Sequence, residues 1–276
     1  MQSFQPLIME TELSGKVYGR FKNLIYERAG ISLGANKQAL LSARLRKRMR
    51  GLGIGSFAEY YDYVQGDSTE EEIVQLLDAV STNVTQFYRE ARHFDVLAET
   101  LAEWQGKGRK RFRLWCAAAS SGEEPYTLAI TARETLGPQA DVKILATDIS
   151  TRVLETARQA RYAESKLAAV PRPLLAKYFR RCADKTTREV VDSLRQTITF
   201  GRLNLATPPF SMRGPLDIIF CRNVMIYFDR PVRQHLITEM ERLLAPDGVV
   251  FVGHSETLAG IDTRLASVSP SVYKLR

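Results

Sequence analysis

From about residue 80 the chain alternates short apolar runs with amphipathic stretches, and this alternation limits the possible folds more than any other feature. The runs are RFRLWCAAA (111–119), DVKILATD (141–148), TITFGRLN (197–204), PLDIIFCRN (215–223) and GVVFVGHS (248–255). Runs of this length, bounded by turn residues, read as strands. The helical stretches between several of them supply the crossovers that parallel neighbours require. The expectation is an α/β domain with a mostly parallel, Rossmann-like sheet over 80–276, with SPSVYKLR at the C-terminus as a last edge strand. Residues 162–196, rich in charge and too long for a plain crossover, predict a small inserted subdomain, a common place for partner contacts.

Residues 1–79 carry a different pattern and predict a separate, all-helical domain. VYGRFKNLIYERAG (17–30) puts Val17, Phe21, Leu24 and Ile25 on one face and stops near Gly30. NKQALLSARLRKRMRGLG (36–53) turns Leu40, Leu41, Leu45 and Met49 inward and closes at Gly51, while Arg44, Arg46, Lys47, Arg48 and Arg50 make its other face basic. Two further helices begin at Ser56 and Thr69, both good N-cap residues. In STNVTQFYREARHFDVLAETLAEW (81–104), Phe94, Leu97, Leu101 and Trp104 form a helical core stripe, with Asn83, Thr85 and Arg89 before it or in its first turn.

With 276 residues, 45% of them apolar and 25% charged, the chain has the composition of an ordinary globular protein rather than a fibrous or disordered one. Its apolar runs are too short to cross a bilayer, and the N-terminus lacks a basic cluster followed by an apolar stretch, so a cytoplasmic protein is expected, not inserted in a membrane. Cys116, Cys182 and Cys221 match neither a disulfide framework nor a zinc site, so reduced thiols and no metal are expected. The formal charge of +8 implies attraction to an acidic partner.

LWCAAASSGEEPY (114–126) is a strand, a small-residue turn and a helix, the place where a parallel sheet cradles its ligand. Glu123 and Glu124 at the helix mouth would repel a phosphate but suit a cation. Two readings stand: Ser121 and Glu124 as a capping box, or a ligand role for the acids. Asp148 ends the second run 26 residues after Gly122, near the roughly 20-residue offset of a ribose-binding acid; as a lone residue it also suits an N-cap. A ribose with no phosphate, beside acids that suit a cation, points to S-adenosylmethionine. In FCRNVMIYF (220–228), Asn223 suits the adenine edge or the amino-acid end of such a ligand, and Tyr227 the reaction centre, whereas Phe228 reads as core. Arg89 is either a carboxylate clamp or a surface ion pair. TPPF (207–210) precedes its strand instead of following it, so it reads as a loop and not as a nucleic-acid amino-methylase signature.

STNVTQFYRE, AAASSGEEPY, ATDIS, LNL and FCRNVMIYFD, in this order, resemble the CheR-type chemotaxis receptor methyltransferases over essentially the whole chain. The resemblance implies a Rossmann-like class I methyltransferase domain behind a small helical domain, with S-adenosylmethionine as donor and S-adenosylhomocysteine as product. The implied acceptors are glutamate side chains in the cytoplasmic helical bundle of a chemoreceptor. It implies that Asn83, Thr85 and Arg89 contact the cofactor or the transfer site. Glu124 and Asp148 then serve the methionine and ribose parts, and Asn204, Leu205, Asn223 and Val224 the adenine and methionine ends. Arg89 and Tyr227 border the reacting atoms. Some members dock a receptor peptide on a small β-subdomain at the position of 162–196; RRCADKTTREVV lacks their glycine-rich turn, so direct docking is expected instead of tethering. The basic helix would steer an acidic receptor bundle, and it offers a surface to a regulatory protein. No helix-turn-helix, zinc or base-stacking signature accompanies the charge, which disfavours the competing nucleic-acid reading; a non-catalytic adaptor and an NAD oxidoreductase remain as weaker alternatives.

Overall fold

The computed structural model describes residues 10–276; the first nine residues of the expected helical domain lie outside the described residues. The chain divides into two compact units, residues 1–82 with Tyr227–Asp229, and Asn83–Ile226 with Arg230–Arg276.

The first unit holds α1 (Gly15–Ala29), α2 (Gln38–Leu52), α3 (Phe57–Gly66) and α4 (Glu71–Val80). The Ser14 hydroxyl caps α1, and Ser56 and Glu59 form a reciprocal capping box on α3. The expected cap at Thr69 is shared: Asp67 accepts the backbone N–H groups of Thr69 at 2.9 Å and Glu72 at 2.7 Å, and Thr69 Oγ1 takes only that of Glu71. A carboxylate has two oxygens to offer where a hydroxyl has one. Helix α2 runs past Gly51 to Gly53, and Leu40 is 44% exposed, contrary to the sequence reading. The stripe that faces α4 consists of Leu41, Leu45 and Met49 at four-residue steps, one position round the helix from Leu40. Beneath it Glu72, 4% exposed, accepts the Arg48 fork at 2.9 and 2.5 Å and the Tyr60 hydroxyl at 2.8 Å.

The second unit begins with α5 (Arg92–Gly106) and continues through β1 (Arg111–Cys116), α6 (Glu123–Leu136), β2 (Asp141–Asp148) and α7 (Thr151–Gln159). Next come β3 (Arg161–Ala163), α8 (Arg172–Tyr178), β4 (Phe179–Arg181), β5 (Thr187–Val190) and α9 (Asp192–Arg195). It closes with β6 (Ile198–Arg202), β7 (Leu216–Cys221), α10 (Arg230–Leu243), β8 (Leu244–Val252), β9 (Leu265–Ser269) and β10 (Val272–Leu275). The main sheet has the order β6-β2-β1-β7-β8-β10-β9, parallel from β6 to β8. The last strand is not at the edge. It hairpins with β9 and slots in antiparallel beside β8, so β9 is outermost. Strands β3, β5 and β4 form a separate antiparallel sheet inserted between β2 and β6. Its tight turn needs no glycine: Lys185 adopts a φ of 59°, and Asp184 accepts the amides of Thr186 and Thr187 at 2.9 Å.

From β1 the chain proceeds outward to β2 and β6, then returns to β7 on the other side of β1. That reversal is a topological switch point, where the loops after β1 and β7 diverge and leave a crevice. Because these strands are parallel, the loops after β1, β2, β6, β7 and β8 share one edge of the sheet. Among the described residues no helix is long and apolar enough to cross a membrane.

Candidate active site

The loop after β1 is fixed by its neighbours. Ala119 donates its N–H to the Thr147 carbonyl, and Ser120, in the left-handed region at φ 48°, donates its N–H to Asp148 Oδ2 at 2.9 Å. Gly122 has a φ of 98°, and a Cβ there would lie 2.6 Å from the Tyr162 hydroxyl and 2.9 Å from Ala157 Cβ. Only glycine meets both demands.

The capping box does not form. Gly122 is the N-cap of α6, and the Ser121 hydroxyl donates instead to the Glu123 side chain at 2.7 Å. The two adjacent acids therefore differ in role. Glu123 is buried, with its other oxygen on Lys166 at 2.8 Å. Glu124 points elsewhere, accepting from Cys116 Sγ at 3.2 Å and from the Arg222 guanidinium at 2.8 Å. Burial pushes the Glu124 carboxyl above its ordinary range against the pull of Arg222, and burial with the Glu124 charge holds the Cys116 thiol protonated.

Asp148 is not the helix cap either: the Ser150 hydroxyl caps α7, and Asp148 Oδ1 accepts the Ser150 N–H at 2.9 Å. Its carboxylate thus fastens the loops after β1 and β2 together. After β6, Leu203 donates its N–H to the Asp148 carbonyl, Asn204 Oδ1 receives the Ala206 N–H at 3.0 Å, and Leu205 is buried.

After β7, Asn223 sits at φ 56°, its N–H on Glu256 at 2.8 Å and its side-chain amide on Glu90 at 3.2 Å. Glu256 also accepts from Gly253 and Ile226, which ties the loop after β8 to that after β7. Val224 is half-buried. The segment before α5 lies in the same network. Asn83 does not cap α5, which starts at Arg92; its carbonyl accepts the Ser120 hydroxyl at 3.0 Å, while its buried Nδ2 lacks a partner. Thr85 is half-buried, as is Arg89, whose guanidinium donates to the Val84 carbonyl at 2.9 Å.

Sequence reasoning missed Arg222, Glu90 and Glu256. The Arg222 side chain is fully buried, donates to Glu124 and to the Arg89 carbonyl at 2.6 Å, and pairs with the Glu90 carboxylate at 2.9 Å. An arginine that directly follows a buried strand and directly precedes a polar loop was the available signal. Glu90 is pushed up by burial and pulled further down by Arg222, so its carboxyl titrates below the usual range. His93 and His254 gather beside Glu90 with ligating atoms within 4.8 Å, a carboxylate and two imidazoles that the sequence reading had left apart. Both Glu90 oxygens already accept bonds, from Arg222, Asn223 and the His254 N–H. Burial, then the Arg222 charge, hold His93 down to about 4, so it is neutral at pH 7.

Tyr227 belongs to the helical unit, half-buried, with its carbonyl accepting the Ser32 N–H at 2.8 Å and neighbouring Phe228 bridged to Ile31. Of the five cations on α2, Arg44 and Arg48 are committed to α4 and the segment just beyond it: Arg44 donates to the Val80 carbonyl and Thr82, and Arg48 to Glu72. Lys47 and Arg50 are exposed and Arg46 half-exposed.

Two family descriptions match the chain: the all-alpha domain of CheR methyltransferases over residues 16–81, and their SAM-binding domain over residues 83–274. Chemotaxis protein methyltransferase 2 of Pseudomonas aeruginosa is 42% identical, covering 93% of this chain and 91% of that protein. The chemotaxis protein methyltransferase of Escherichia coli is 38% identical over 95% of this chain and 92% of its own length, and that of Borreliella burgdorferi 35% identical over 92% of each. The chain belongs to the CheR methyltransferase family and is an S-adenosylmethionine-dependent methyltransferase.

Proposed function

We propose that the chain transfers methyl groups to glutamate side chains on the cytoplasmic helices of a chemoreceptor, forming the methyl esters of chemotactic adaptation. The observation that carries this reading is the acidic character of the crevice edge. Glu124 and Asp148 flank a strand-turn-helix whose helix opens on two adjacent acids, and Glu124 itself is held by the enclosed Arg222. The residues present suit a phosphate-free nucleoside: Asp148 is an acceptor for ribose hydroxyls, and the unpartnered Asn83 Nδ2 is a buried donor for an acceptor such as a carboxylate. When bound, S-adenosylmethionine supplies an electrophilic methyl group on a sulfonium.

In this reading Asn83, Thr85, Glu124 and Asp148 hold the methionine and ribose parts. Asn204, Leu205, Asn223 and Val224 hold the adenine and methionine ends, and Arg89 and Tyr227 serve the acceptor. A glutamate with a pKa near ~4.3 is already ionised at pH 7, so no general base is required. This agrees with the neutral, enclosed His93. Catalysis then rests on positioning and water exclusion, worth roughly 7–11 kcal/mol in favourable intramolecular cases. Arg89 orients the acceptor through one oxygen, leaving the other free to attack.

The exposed Lys47 and Arg50 and the half-exposed Arg46 steer the Glu-rich receptor bundle electrostatically, and the same face is available to a regulatory protein. A receptor methylated on cytoplasmic helices requires a cytoplasmic enzyme. Incubation with methyl-labelled donor and a receptor cytoplasmic fragment, followed by mild alkali, tests the reading: a carboxyl ester releases volatile methanol. Alkali-stable label, or label on nucleic acid, overturns it.

A further inference from the structure

We propose that Arg222 is a positioning residue for methyl transfer, one enclosed guanidinium that registers Glu124, Glu90 and the Arg89 main chain against one another. The proposal rests on the assignment of Glu124 and Arg89 given above. Three segments distant in sequence meet at this side chain: the stretch before α5, the first turn of α6 and the loop after β7. Its terminal nitrogens reach Glu124 at 2.8 Å, Glu90 at 2.9 Å and the Arg89 carbonyl at 2.6 Å. Phe94 and Phe220 lie beside the guanidinium, 5.7 and 5.8 Å from their ring centroids. With no exposed surface, Arg222 cannot touch a substrate and acts only through the groups it holds.

Those groups have two separate needs. Glu124 and Glu90 are like charges in a low-dielectric setting; without a shared cation, both resist ionising together. The groups that face Glu124 are Arg222, Cys116, Glu90 and Arg89, and Cys116 stays protonated, so the stabilising positive charge comes from the two arginines. The second need is geometric: the bond to the Arg89 carbonyl sets the origin of the Arg89 side chain, and Glu90 in turn holds the Asn223 amide. A planar fork serves both needs, whereas an ammonium supplies the charge without the fork.

The test compares wild type with Arg222→Lys, Arg222→Met and the double variant Arg222→Met/Glu90→Gln. The readouts are calorimetric affinity for S-adenosylhomocysteine from pH 6 to 9, kcat for receptor methylation, and a thermal melt. Arg222→Lys should keep a pH-independent affinity close to wild type while kcat falls about 100-fold, the penalty of a misplacement near 1 Å. Arg222→Met should bind weakly near neutrality and regain affinity as the pH rises and Glu124 ionises, and the added Glu90→Gln change should flatten that dependence. A kcat for Arg222→Lys within twofold of wild type overturns the positioning role. A folded Arg222→Met with pH-independent, wild-type affinity overturns the charge role; should Arg222→Met not fold, the double variant, which lacks the like charge, decides by its affinity. Wild type that binds no S-adenosylhomocysteine would instead strike the underlying site assignment.

Discussion

Arg48 separates a docking cation from a structural one, and replacing it with methionine turns that distinction into a number. Its guanidinium grips Glu72 with two hydrogen bonds; the glutamate side chain is 5% exposed and the arginine side chain 31%. Removing one partner of a fully buried pair costs about 3–5 kcal/mol, because the remaining charge is stranded. Part of the Arg48 side chain reaches water and Glu72 keeps the Tyr60 hydroxyl, so the expected loss is about 2–4 kcal/mol. Arg48→Lys, keeping charge without the fork, should lie between. The assay is urea unfolding followed by far-UV circular dichroism, with the difference taken at a shared slope. Lys47→Glu and Arg50→Glu, at exposed positions, should leave stability within about 0.5 kcal/mol. They should raise the KM for receptor fragment several-fold at low salt, an effect that fades as salt screens it. A loss below about 1 kcal/mol for Arg48→Met, together with a raised receptor KM, would refute the argument and return Arg48 to the docking face.

Asp148→Ala frees two loop amides as well as removing a proposed ribose acceptor, so it should cost stability and S-adenosylhomocysteine affinity together; Asp148→Asn should lose affinity with a smaller stability change, measured by calorimetry alongside melting. Arg89→Ala should lower kcat for methyl transfer more than it weakens binding of S-adenosylhomocysteine, and the reverse pattern would place Arg89 at the wrong point. Tyr227→Phe, which keeps the backbone bond to Ser32, should reduce turnover without changing the melting curve. His93 titrates near 4 in the fold against an ordinary 6.5, so the unfolded chain binds the extra proton between those values. Its contribution is intact above pH 6.5 and is lost as the pH falls towards 4, by about 3 kcal/mol, so His93→Phe should shrink the stability difference between pH 7 and 4.5.

The sheet was legible because its central strands β1, β7 and β8 end in runs buried on both faces, and such runs stand out from the helices that cover them. The helical unit was legible from its stripes. Failures fell where one position round a helix or one hydrogen bond decides: Leu40 against Leu41, Thr69 against Asp67, β10 against the sheet edge. In the candidate site, Asp148, Glu124 and Asn223 could be singled out from the sequence because each stands at the end of an apolar run or the start of a helix. It could not supply Arg222, Glu90 or Glu256, whose partners lie 98, 133 and 33 residues away and meet only when parallel strands bring their ends to one edge. His93 and His254 failed to register for the same reason.

The adjacent acids at the mouth of α6 show why a local pattern was insufficient. Glu123 and Glu124 are one residue apart and therefore project in different directions from the first helical turn. Glu123 is spent on Lys166 and Ser121, binding the loop after β1 to the inserted subdomain, whose Tyr162 hydroxyl also donates to the Ser121 carbonyl at 2.8 Å. Glu124 is left to the crevice, in a network where Glu90, Asp148 and Glu256 are the other carboxylates and Arg89 and Arg222 the guanidiniums. His93 adds no charge at neutral pH. On the proposed assignment, Glu124 at the methionine end favours a sulfonium over the neutral sulfur that methyl transfer leaves behind. The same carboxylate would repel a free acceptor glutamate. On the proposed assignment the half-buried Arg89 offsets that repulsion for one carboxylate at one place, and the cationic face of α2 offsets it for the receptor as a whole. On that assignment, selectivity for donor over product and for a docked glutamate over a free one are both matters of charge placement around Glu124 and Arg89.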